Sequence, residues 1–150
     1  MGSDIDEVDK EIIRMLQEDA RVSFRKIAEK LNVSEATIFT RVKKLLKKNV
    51  IKGFAAIVSP EKVGKNITAF VLINADPKKL QSVLEALSKM EDVYEVYDVT
   101  GSYYAVVKIR TEDQRRLAKI IDDIGMIDGV TSTETALVLR SIKEDFRIKV

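Results

Sequence analysis

An apolar series, Leu80, Val83, Leu84, Leu87, Met90 and Val93, returns thirty-seven positions later as Leu117, Ile120, Ile121, Ile124, Ile127 and Val130. Each series has the i, i+3, i+4, i+7 spacing that puts its members on one side of a helix, and each then runs into a strand. Strand-like runs precede the two helices, over Ile67–Asn74 and Tyr103–Arg110, and follow them, over Val93–Thr100 and Thr131–Leu139. The order β-α-β, β-α-β predicts a ferredoxin-like antiparallel sheet with both helices on one face. The strands alternate, but not between apolar and polar. Ile67, Ala69, Val71 and Ile73 interleave with Thr68, Phe70 and Leu72, while Ala105, Val107 and Ile109 interleave with Tyr104 and Val106. The face without helices is therefore expected to be an apolar interface, and a second copy of the chain, sheet against sheet, is its simplest cover.

The N-terminal third follows a different rule. Val8, Ile12 and Leu16 recur at helical spacing behind Asp6, placed as N-cap, and Asp9, placed at the third helical position. Ser23 caps a second helix with Ile27, Ala28 and Leu31 inside. Asn32-Val33 is a tight turn in which Asn tolerates the left-handed conformation, and Ser34 caps a third helix. On that helix Ile38, Val42, Leu45 and Leu46 form the inward stripe, Phe39 lies on the flank, and Ala36, Thr37, Thr40, Lys43, Lys44 and Lys47 face outward. Helix, short turn and second helix, with small residues near the outward N-terminal end and lysines behind, reads as a helix-turn-helix. Base contacts are expected from Ala36, Thr37, Phe39 and Thr40, and phosphate contacts from Ser34, Arg41, Lys43, Lys44 and Lys47.

Charge sharpens this reading. The net charge of +2 hides −5 over residues 1–20, +8 over residues 21–52 and −1 over residues 61–150, and no acid follows Glu35 through Lys52. An ordinary solvated helix face would not need that gap. Composition removes other classes. With no cysteine and no histidine there is no thiolate, no disulfide and no imidazole base or ligand, and no phosphate loop, paired-carboxylate motif or nucleophile elbow is present. No cofactor or metal is expected, and an enzyme with a ferredoxin-like core is the minority reading. The apolar runs are too short to span a membrane and the acidic N-terminus is unlike a signal peptide, so a cytoplasmic protein without a membrane partner is expected. Met1-Gly2-Ser3 reads equally as a natural start or as appended residues.

Residues 50–58, Val50-Ile51-Lys52-Gly53-Phe54-Ala55-Ala56-Ile57-Val58, are β-prone and, from Gly53 on, uncharged, so they are expected to pair with a neighbour. The domain organisation expected is 1–52 for DNA binding, 53–65 as linking strand and hinge, and 66–150 as the ferredoxin-like domain.

Leu16–Arg21, Ile27–Leu31, Ser34–Lys44 with Thr37 and Arg41, Val50–Phe54, Thr100-Gly101 and Ala136–Leu139 together resemble the leucine-responsive/asparagine-regulator (Lrp/AsnC) family of prokaryotic transcription factors over essentially the whole chain. The resemblance implies an α+β chain: a winged-type helix-turn-helix, a linking strand that pairs with its partner's, and a ferredoxin-like domain that binds amino acids and assembles dimers, often into octamers or other closed rings. It also implies an effector site between dimers near Thr100, Gly101, Ser102, Tyr103 and Tyr104, with Thr131, Thr133, Glu134 and Thr135 nearby. The family pattern there is T-G-x-Y-D, and this chain has Tyr104 where the acid stands. An aspartate would accept hydrogen bonds from a ligand ammonium and match its charge, so the departure bears on which effector is bound, or whether one is. The reading is a dimeric, sequence-specific regulator binding double-stranded DNA. A DNA-compacting architectural protein and a small-molecule sensor are the alternatives.

Overall fold

Two aspartates open the first helix by capping each other. The Asp6 carboxylate accepts from the Asp9 backbone N–H at 2.9 Å and the Asp9 carboxylate from the Asp6 N–H at 3.2 Å, so α1 (Glu7–Glu18) starts where the capping-box pattern puts it. In the computed structural model, which describes residues 5–150, α2 (Phe24–Leu31) and α3 (Glu35–Lys47) start on the Ser23 and Ser34 hydroxyls. The appended or native Met1-Gly2-Ser3 lies outside the described residues. Asn32 ends α2 with φ 54° and ψ 46°, the left-handed conformation the turn requires. Ile12, Ile13, Leu16, Ile27, Ala28, Ile38, Val42 and Leu45 form the core of this unit. Leu46, expected in the stripe, is 36% exposed, because the stripe centres on Ile38 and Leu45 and turns Leu46 to its rim.

The second unit holds β1 (Ile67–Ala75), α4 (Leu80–Ser88), β2 (Val93–Asp98), β3 (Ala105–Thr111), α5 (Gln114–Gly125) and β4 (Val130–Leu137), after a single 3-10 turn at Glu61–Val63. The strands form one antiparallel sheet in the order β2-β3-β1-β4. This is the ferredoxin-like order. All twelve members of the repeated series pack into one core with Ala69, Val71, Ile73, Ala105, Val107 and Ile109, so both helices cover the same face. Register places Phe70, Leu72, Val106 and Tyr97 on the other face, but Lys108, paired with Phe70, and Glu134, paired with Leu72, interrupt it. The Lys108 ammonium lies 5.9 Å from the centre of the Phe70 ring. That face is more mixed than its alternation suggested.

Two features differ from the sequence expectation. Residues 50–58, expected to pair as a strand, join no ladder among the described residues. Strand propensity becomes a strand only beside another edge. The chain divides into Met1–Ala56 with Lys143–Val150, and Ile57–Ile142, so the last residues leave the segment 66–150 and join the helical unit. There the Gln17 amide donates to the Ile148 carbonyl at 2.8 Å and accepts from the Ile148 N–H at 2.6 Å. Arg14 donates to the Val150 backbone oxygen at 3.2 and 2.7 Å, and the Val150 side chain joins the helical core.

Candidate functional site

Helix α3 carries most of the residues expected to meet DNA. Its buried side is Ile38, Val42 and Leu45, which turns Ala36, Thr40, Lys43, Lys44 and Lys47 to solvent. Ser34 is exposed, yet its hydroxyl is engaged: it accepts from the Thr37 N–H at 3.0 Å and shares a 2.7 Å hydrogen bond with the Thr37 hydroxyl. The cap orients Thr37. Thr40 donates its hydroxyl to the Ala36 carbonyl at 3.0 Å, which leaves its oxygen lone pairs to accept and its methyl exposed. A shallow depression is lined by Ala36, Thr37, Thr40 and Arg41. Phe39 is 57% exposed and meets the Phe24 ring edge-on at 6.3 Å, so it also ties α3 to α2.

Arg41, expected as a phosphate contact, is engaged within the chain. One guanidinium nitrogen donates to both Asp6 carboxylate oxygens, at 2.9 and 2.8 Å, and to Asp9 at 2.9 Å. The Asp6 carboxyl is held below its usual range by the Asp9 N–H and by Arg41, and the guanidinium is held charged by the two acids, Asp6 foremost. Sequence reasoning missed this clasp. The acids were visible only as a cap, and nothing in the spacing links position 41 to positions 6 and 9.

In the second unit the expected effector residues converge at the end of β1. Thr100, Gly101, Ser102, Tyr103 and Tyr104 form the connection from β2 to β3, with Gly101 at φ 116°. Tyr104 donates its N–H to the Ile73 carbonyl at 3.0 Å and accepts from the Val99 N–H at 3.0 Å, while its ring stays exposed. On the other side of β1, Thr133 is in register with Ile73 and Glu134 with Leu72, and Thr131 and Thr135 are exposed on the same strand. The Tyr103 hydroxyl hydrogen-bonds the Glu134 carboxylate, which also raises the pKa of the phenol above its ordinary value. An acid is thus present in this cluster, though not at position 104. Among the described residues no group of acids fits a metal ion.

The AsnC-type helix-turn-helix domain model matches residues 5–46, and the Lrp/AsnC ligand binding domain model matches residues 68–148. The chain is 42% identical over 146 residues to the HTH-type transcriptional regulator FL11 of Pyrococcus furiosus, covering 97% of both chains. It is 41% identical to the regulator of the same name from Pyrococcus abyssi, over 100% of this chain and 99% of that one. The solved structure of E. coli AsnC matches with a TM-score of 0.91 at 31% identity, over 97% of this chain and 99% of that one. A Neisseria meningitidis transcriptional regulator in complex with L-Met shares the fold at a TM-score of 0.87 and 23% identity, over 96% of each chain.

Proposed function

The chain belongs to the Lrp/AsnC family of helix-turn-helix transcriptional regulators, and from that premise we propose which of its residues read DNA and which meet an effector. The observation that carries the DNA reading is the outer face of α3, where Lys43, Lys44 and Lys47 stand exposed behind Ala36, Thr37 and Thr40 and no acid follows Glu35. Ala36, Thr37, Phe39 and Thr40 approach base edges in the major groove, and Lys43, Lys44 and Lys47 meet phosphates. Ser34, with its hydroxyl committed to the cap, contributes through the amides of the helix N-terminus that it orders. The chain works as a homodimer or a closed assembly of dimers on double-stranded DNA in the cytoplasm. The mixed face around Phe70, Leu72 and Val106 supports self-association, and no described helix is long and apolar enough to cross a membrane.

Replacing Lys43, Lys44 or Lys47 singly by Ala should weaken binding alike on promoter and random DNA. Each replacement should lower the slope of log affinity against log salt by about one unit. Unchanged slopes in all three variants would make the lysines mere solvated surface. Equal wild-type affinity for the promoter and random DNA would favour a compacting role.

The effector reading rests on the convergence of the β2–β3 connection and β4 at Ile73. Tyr104 is held by its backbone and exposed at its ring, so Tyr104→Asp should fold. It restores a carboxylate able to pair with an amino-acid ammonium, and titration calorimetry should show gained or tighter amino-acid binding. A folded variant with no gain tells against position 104 as the determinant.

A further inference from the structure

Hydrophobic contact is not directional, so the stripe Ile38, Val42 and Leu45 decides which side of α3 points inward but only loosely how the helix is rotated and where it sits along its axis. The Arg41 clasp is directional. It joins the middle of α3 to the first turn of α1, through the same two carboxylates that close the capping box. Asp9 is only 5% exposed, so turning Arg41 away toward a phosphate would leave a buried carboxylate without its cation. The guanidinium is also outnumbered. Two acids and one base carry a net charge of −1, which gives a phosphate nothing to gain. Thr37 and Thr40 line the same depression as Arg41, so a shift of α3 at this point would move the residues read against DNA.

We propose that Arg41 is a positioning residue for DNA recognition: by clasping Asp6 and Asp9 it sets the rotation and register of α3, and it is not a phosphate contact. This rests on the reading of α3 as the DNA-reading helix.

The test uses the full chain and three variants: Asp6→Asn, Arg41→Gln and the double. Asparagine keeps an oxygen for the N-cap, loses the charge and turns one of the two oxygens that accept from Arg41 into a donor. Affinities for promoter DNA and for random DNA are measured across a salt series. Removing charge near DNA changes both affinities alike, whereas a misplaced helix changes their ratio. Each single variant is expected to lower the promoter-to-random ratio by roughly tenfold, the double variant no further than the worse single, with the salt slope unchanged. Arg41→Lys, with one cationic point in place of a planar fork, should recover part of the ratio. The proposal is overturned if Arg41→Gln flattens the slope by about one unit while leaving the ratio intact, or if the two single effects simply add. Should Arg41→Gln fail to fold, Asp6→Asn decides alone: a ratio unchanged from wild type rejects the positioning role. Failure of the DNA reading itself would look different. Wild type would then show no preference for promoter DNA and the lysine variants no slope change, while the Arg41–Asp6 coupling persisted in thermal stability.

Discussion

Ile38→Ala is expected to cost the helical unit about 2–5 kcal/mol, the usual price of deleting most of a fully buried isoleucine. Ile38 has no exposed surface and lies where all three helices meet, among Ile12, Leu16, Ile27, Val42 and Leu45. A core this small supplies only about 3–5 kcal/mol of net stability. One cavity at its centre is therefore comparable to the whole margin. Far-UV circular dichroism should show a helical transition moved to much lower temperature, with promoter binding lost at every salt concentration. All four tyrosines, Tyr94, Tyr97, Tyr103 and Tyr104, lie in the sheet unit, so their emission should report an almost unmoved second transition. Leu46→Ala is the control, since that side chain sits at the rim and should cost far less. Retained DNA binding by a folded Ile38→Ala variant would mean that α3 does not depend on this core.

Sequence and structure agree where the signal is local. Asp6, Ser23, Ser34 and Asn32 act through the next few residues, so their roles as caps and turn are legible in the sequence. The repeated apolar series was legible for a similar reason: each member reports its own helical phase, and a shared core follows when the phases agree. Strand ends were less well marked. Strand β3 starts at Ala105, two residues after Tyr103, because the Tyr103–Tyr104 stretch bends to close the loop at Ile73. Side-chain pairs across long sequence distances were not legible at all. Arg41 looked like one more cation on a basic helix, and only the packing of α3 against α1 brings it to Asp6 and Asp9. Residues 50–58 carry strand composition whose meaning depends on a neighbouring edge, and among the described residues they pair with none. The outward identity of Lys43, Lys44 and Lys47 was legible, because a buried stripe fixes its own opposite side.

Asp92→Ala should destabilise the sheet unit by about 2–3 kcal/mol, the largest single polar effect expected in the molecule. Asp92 stands just before β2 and is 5% exposed. One carboxylate oxygen accepts from the Lys65 ammonium at 3.1 Å, and the other accepts a fork from Arg116 at 2.8 and 2.7 Å. Its backbone carbonyl accepts from the Arg110 N–H at 3.2 Å. Lys65 also reaches Glu112 at 2.6 Å, and Glu112 accepts from the Thr111 hydroxyl at 2.8 Å. The chain entering β1, the start of β2, the end of β3 and the first turn of α5 therefore share one charged cluster. Lys65 and Arg116 are partly exposed, so they rehydrate when Asp92 is removed, which keeps the loss below that of a fully buried pair. Asp92→Asn should be nearly as harmful as Ala, because its amide turns a donor toward one of two donor partners. Asp92→Leu should recover some stability by filling the space without leaving a charge. The acid side of the stability profile follows from Glu112, held down to about 2 by Lys65 first and Thr111 second, against an ordinary value of 4.5. A depressed carboxyl contributes stability above its unfolded pKa and loses it as pH falls through the folded one, so the loss runs from about pH 4.5 to about pH 2. Lys65 is raised, and its contribution is present throughout that window and fails only in alkali. Urea unfolding followed by tyrosine emission should therefore show an acid limb that flattens in Glu112→Gln and a midpoint that falls sharply in Asp92→Ala. An unmoved midpoint in Asp92→Ala would mean that solvent replaces both cations without cost, and that the cluster does not hold the sheet unit together.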